Sequence, residues 1–237
     1  LIQNYMTGKK ISILGDSIST LDGYILPGYS SFYSKGQYGI YDMNDTWWGI
    51  VINTFGASFL VNNSWSGSRV TCIPGSAVLF PSASSKERTG GLHFGGMMPD
   101  VILIYMGTND WGYGATLRKK MTRRDSGFPE MIFENAYRLM LKRLRNNYPN
   151  AVICCITINP AYIPMEPSFC FPNEYYGCDF REFNSVIKSE AELAGAYFLN
   201  VADQGMPYET IDGIHPDMRG MRTLADGVIR ELSRYFG

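Results

Sequence analysis

Ser17, His215 and Asp212 are the residue types that acyl transfer requires, and each stands in a stretch that could present it. Ser17 closes Ile11-Ser12-Ile13-Leu14-Gly15-Asp16-Ser17, an apolar run followed by a glycine that lets the chain turn sharply. That sets a hydroxyl at the carboxyl end of a buried strand. Alone, a serine there is more often a helix N-cap than a nucleophile, so its partners must decide. The chain has two histidines, and one lies in Asp212-Gly213-Ile214-His215-Pro216. The aspartate three residues upstream can fold back onto Nδ1, fix the tautomer and leave Nε2 to take a proton. His93, among glycines and without a carboxylate at useful spacing, reads as a loop histidine.

Acyl transfer also needs donors aimed at the developing oxyanion. Two segments offer them: Asn63-Ser64-Trp65-Ser66-Gly67 supplies a glycine N–H, and Gly107-Thr108-Asn109-Asp110 supplies the Asn109 amide. Trp65 and Trp111 each lie within two residues of a proposed donor, and are candidates for a substrate-binding wall as much as for core. Trp47 and Trp48 read as core. Arg118, Lys119, Lys120, Arg123 and Arg124 follow Asn109 closely; a solvated loop is the safer reading than recognition of an acidic substrate.

These residues need strands to carry them. Apolar, β-rich runs at Ile11–Leu14, Phe59–Asn62, Val101–Tyr105, Ala151–Ile156 and Tyr197–Asn200 are separated by segments long enough for helices, which predicts a parallel α/β sheet covered on both faces. Helices are expected from about Pro129 to Tyr148, from Asp179 to Ala194, and from Pro216 through the apolar series Met221, Leu224, Ala225, Val228 and Leu232. Thr20–Asp45 and Asn159–Gly177 fit neither period and read as long functional loops.

The order Gly15-Asp16-Ser17, Gly67, Gly107-Thr108-Asn109-Asp110, Asp212-Gly213-Ile214-His215-Pro216 resembles the blocks of the GDSL/SGNH hydrolases and spans nearly the whole chain. Ile18 replaces the leucine that often follows the serine, a conservative change. The resemblance implies a flavodoxin-like three-layer α/β/α sandwich with a central parallel sheet. It also implies a metal-free serine esterase without cofactor. In it Ser17 attacks, His215 acts as base, Asp212 orients His215, and the Ser17 and Gly67 N–H groups with the Asn109 side chain form the oxyanion hole.

With 237 residues, 45% of them hydrophobic, the chain reads as one domain over 1–237. A net charge of −1 gives no footprint for nucleic acid or an anionic membrane, so a small-molecule or glycan ester is the expected partner. No apolar run reaches bilayer-spanning length, and Leu1–Lys10 lacks a basic segment followed by an apolar core. A soluble protein is expected, cytoplasmic or secreted after signal removal. Five cysteines cannot all pair; Cys170 and Cys178 flank a Pro-rich loop, and free thiols are the better reading for them. The favoured activity is removal of small acyl groups such as acetate from carbohydrate. A lipase or thioesterase of the same family and a silent glycan-binding module are its rivals.

Overall fold

The computed structural model describes residues 4–72, 81–123 and 127–237. Its centre is a sheet of five parallel strands: β1 (Lys10–Gly15), β2 (Ser58–Ser64), β3 (Val101–Tyr105), β4 (Val152–Ile156) and β5 (Tyr197–Leu199). They lie in the order β2-β1-β3-β4-β5, the flavodoxin-like arrangement. Side chains alternate between faces, as the strand period demands. Ile11, Ile13, Val101, Leu103, Cys154 and Ile156 point into one apolar layer, and Leu14, Ile102, Ile104, Ile153 and Cys155 into the other.

Helices close both layers. Helix α1 (Trp47–Thr54) and the C-terminal α6 (Met218–Phe236) cover the first; α4 (Phe133–Asn147) and α5 (Phe180–Leu193) cover the second. Two five-residue helices, α2 (Lys86–Gly90) and α3 (Thr108–Gly112), complete the set of α-helices among the described residues. Helix α1 is apolar almost all round, Trp47-Trp48-Gly49-Ile50-Val51-Ile52, so no helical stripe marks it in the sequence. Thr46 starts it by accepting the Gly49 N–H on its side chain.

Two expected helix starts shift, for local reasons. Helix α6 begins at Met218, not Pro216, because the Asp217 side chain accepts the Arg219 and Gly220 N–H groups and becomes the cap. Pro129 opens only a 3₁₀ turn (Pro129–Met131), and α4 proper starts at Phe133. Of the long loops, Asn159–Gly177 contributes Ala161–Tyr162, paired in parallel with Tyr208–Glu209, and Glu174–Tyr175, paired antiparallel with Cys178–Asp179.

Gly15 has a different role from the sharp turn expected of it. Its φ is not positive; instead a Cβ there would stand 2.6 Å from Ser19 Cβ and 2.7 Å from Ser64 Oγ. The glycine lets β1, the turn after it and the end of β2 approach closely. Gly15→Ala should therefore lower stability by roughly 1–3 kcal/mol, the usual cost of overpacking, read as a lower urea midpoint.

Candidate active site

Strand β1 lies between β2 and β3, with Gly15 registered against Ser64 on one side and Tyr105 on the other. The segments leaving these three strands therefore emerge side by side, and they carry Ser17, Gly67 and Asn109. Ser17 opens a 3₁₀ turn, Ser17–Ser19, whose cap is Asp16: the Asp16 carboxylate accepts the Ile18 N–H at 3.0 Å. Capping thus falls to the aspartate, and the serine hydroxyl is left for other work. It lies 2.8 Å from His215 Nε2.

His215 is aimed by its own loop. Asp212 Oδ2 sits 2.7 Å from Nδ1, while Oδ1 accepts the Ile214 N–H at 3.0 Å and the His215 N–H at 2.8 Å. Gly213 holds φ at +91°, and a Cβ there would meet Phe169 at 2.6 Å, so both conformation and space require glycine. Tyr208 and Tyr33 donate their hydroxyls to the carbonyls of Ile214 and Pro216, at 2.9 and 2.8 Å. Partial burial pushes the Asp212 carboxyl up, but the His215 side chain and the two backbone N–H groups outweigh it and hold the carboxyl down at about 2. An ionised carboxylate only accepts, so Nδ1 carries the hydrogen and Nε2 is left to accept from Ser17.

The donors expected for an oxyanion stand alongside. Trp65 N–H donates to Gly15 O at 3.2 Å, which keeps the chain after β2 against the end of β1. Gly67 turns with φ +78°, and nothing lies within 4 Å of a Cβ built there, so the space beside it is open. Asn109 Nδ2 donates one hydrogen to Ser68 O at 3.0 Å, leaving its second amide hydrogen for a ligand. Asp110 binds the same loop from beneath: its carboxylate accepts from Val70 N, Thr71 N and Thr71 Oγ1 at 2.9, 2.9 and 2.7 Å.

Arg88 was not foreseen. It sits in the charged run Lys86-Glu87-Arg88, yet its side chain is wholly buried beneath the ends of β1 and β2. It donates to Asn63 Oδ1 (2.7 Å), Gly15 O (2.9 Å), Asn63 O (3.0 Å) and Pro81 O (3.1 Å), and burial lowers its guanidinium to about 10. Asp16 is buried too. Loss of water raises its carboxyl to about 7, against the Ile18 N–H and the charges of His215 and Arg88, which pull it down.

The remaining candidates divide. Trp65 is half-buried, its ring 4.1 Å from that of Tyr29, beside the Gly67 turn. Trp111 is 1% exposed and so belongs to the core rather than to a pocket wall. Its ring packs on Phe171, Tyr175 and Phe180, and Nε1 donates to Cys178 O at 2.9 Å, which anchors the 171–180 segment to the body of the protein. His93 is exposed and lies 3.0 Å from Gly90 O, away from these residues. In the basic cluster, Lys119 pairs with Glu182 at 2.6 Å, Arg118 donates to Asn135 and Lys120 to Gly177 O, as a solvated loop would; Arg124 lies outside the described residues. The five cysteines are free thiols, Cys170 exposed and Cys178 buried.

A family model described as GDSL-like lipase/acylhydrolase matches residues 9–194. Among solved structures, a protein named a GDSL-like lipase from Bacteroides ovatus is 23% identical, with 96% of this chain and 99% of that chain covered and a TM-score of 0.71. A second so named, from Bacteroides uniformis, is 25% identical over 96% of each chain, with a TM-score of 0.69. A carbohydrate acetylesterase from Sinorhizobium meliloti is 16% identical, covering 96% of this chain and 100% of its own, with a TM-score of 0.64. No curated protein matches significantly.

Burial raises the Asp16 carboxyl only in the folded chain. Folding favours its protonated form, so wild type loses stability as pH rises from the ordinary carboxyl value of 3.8 through about 7, and the loss is complete above that. Asp16→Asn can still accept the Ile18 N–H but has no proton to lose. Urea melts should show the variant gaining on wild type between about pH 4 and 7; a gap independent of pH would contradict this.

Proposed function

Because the chain belongs to the GDSL-like lipase/acylhydrolase family, and is a hydrolase of carboxylic esters, we propose that Ser17 is its nucleophile, His215 its general base and acid, and Asp212 the group that orients and charges the imidazole. The observation that carries this reading is the unbroken line Asp212 Oδ2, His215, Ser17 Oγ, with 2.7 and 2.8 Å at its two joints. It is assembled within a single domain spanning 1–237.

As Ser17 Oγ bonds to the ester carbonyl carbon, its proton passes to His215 Nε2 and the carbonyl oxygen becomes an oxyanion. The Ser17 and Gly67 N–H groups and the second Asn109 amide hydrogen receive that charge. The tetrahedral centre then collapses, the C–O bond to the alcohol breaks, and the imidazolium returns its proton to the leaving oxygen. Water, deprotonated by the same Nε2, then bonds to the acyl carbon; the C–O bond to Ser17 breaks, and the imidazolium returns its proton to Ser17 Oγ. Preorganised donors in a partly dry site carry most of the rate, because they need not reorient as charge develops.

The proposed substrate is a small acyl ester, an acetyl group on a carbohydrate. The Tyr29–Trp65 ring pair beside the Gly67 turn supports this, since aromatic faces suit sugar rings. So does the likeness in fold to a carbohydrate acetylesterase. Among the described residues no helix is long and apolar enough to cross a membrane.

A panel of p-nitrophenyl esters from acetate to a long acyl chain, with acetylated xylan beside it, tests both parts. Acetate should be turned over fastest. Ser17→Ala should abolish hydrolysis, and Asn109→Ala should lower kcat by roughly 10²- to 10³-fold. Full activity in Ser17→Ala would sink the assignment, and preference for long chains would move the substrate to lipids.

A further inference from the structure

One face of the His215 ring is covered. The Phe32 ring lies parallel to it, 6° between planes and 3.6 Å between centroids. For two neutral aromatic rings such a face-to-face sandwich is a poor arrangement, because their quadrupoles repel; offset and edge-on geometries are preferred. Over a cation the sign reverses, and a phenyl face attracts the charge. The stack is therefore worth more to an imidazolium than to an imidazole.

Phe32 is also built into the site. Its N–H donates at 2.9 Å to Thr20 Oγ1, which itself donates at 2.8 Å to Ser17 O, so the nucleophile's own turn holds the residue that lies against the base. The next residue, Tyr33, sets its ring edge-on to His215 and bonds Pro216 O. Tyr38 stacks behind Phe32, 6.2 Å away at 18°, and its carbonyl accepts the N–H of Met218, the first residue of α6. Tyr38 holds φ at +54°, a costly conformation for a bulky residue, and this contact keeps the strap against the helix that follows His215. Thr20–Asp45, irregular in sequence, is thus tied at both ends of the Ser17–His215 pair.

We infer that Phe32 is a positioning residue of the esterase, whose ring face stabilises the imidazolium formed while Ser17 attacks and holds its plane in line with Ser17 Oγ. The inference rests on the reading of His215 as base. Other ionisable groups face the same ring: Asp212 from its own loop, Asp16 from beneath the Ser17 turn and Tyr33 from the strap, with Asp217 two residues further on at the cap of α6. Each of them is unaltered by a change confined to the Phe32 ring.

The test keeps the ring's shape and removes its charge pattern: phenylalanines with increasing fluorination installed at position 32 of the whole chain, alongside Phe32→Leu. Since the chain has only two histidines, proton NMR can follow both, with exposed His93 as internal control. Fluorination should lower the His215 titration midpoint stepwise, leave that of His93 in place, and reduce kcat by about 2- to 30-fold at full effect. The acid limb of kcat/KM should move to lower pH with it. An unchanged His215 midpoint across the series and in Phe32→Leu overturns the inference, because a ring that merely walls the site would give that result. A midpoint that falls while kcat stays constant overturns its catalytic half. The NMR titration needs no turnover, so failure of the Ser17–His215 reading would show separately, as activity surviving in Ser17→Ala.

Discussion

A hydrogen bond of 2.8 Å joins Ser17 and His215, side chains 198 residues apart, and much of the fold is organised around its two ends. The first end is set by the close approach of β1 and β2 at Gly15, where a methyl group would not fit. The second is set by the turn before α6, braced by Tyr208, Tyr33 and the glycine at 213. Holding two long-separated groups in such geometry costs chain entropy. The two apolar layers on either face of the sheet supply the offset.

Beneath the site lie three buried ionisable groups. Asp16, Asp110 and Arg88 are each almost fully buried near the ends of the central strands. Each is satisfied by backbone or side-chain partners, as burial of a charge demands. Arg88 ties Gly15 to Asn63, and Asp110 ties α3 to the loop carrying Gly67. The proposed oxyanion donors therefore come from strand ends cross-braced by polar contacts, and Asn109 reaches the β2 loop through Ser68. Such bracing is what preorganisation requires, since donors free to relax would lose their advantage to water.

The strands were legible because residues covered on both faces must be apolar at every position, as in Val101–Tyr105. Ser17, Asn109, Asp212 and His215 could be singled out as candidates because acyl transfer restricts residue types, and strand ends restrict where they occur; the structure joins Asp212, His215 and Ser17 in one hydrogen-bonded line. Three features were hidden. Helix α1 shows no polar face; Arg88 sits in a run whose composition signals solvent; and Phe32 lies in an irregular strap where no period constrains it. Trp111 illustrates the converse limit. Asn109, a candidate donor, stands two residues before it on α3, but the helix turns Trp111 to the other side and into the core, where Cys178 O accepts its Nε1–H.

Ser17, activated by His215, is proposed to form a covalent bond to acyl carbon. This is tested most directly by treating the protein with a fluorophosphonate, a trap for activated serines, and mapping the adduct by mass spectrometry. One modified serine, Ser17, is expected, with labelling lost in His215→Ala while the other serines remain unmodified. Labelling of a different serine, or labelling of Ser17 at the same rate without His215, would contradict it.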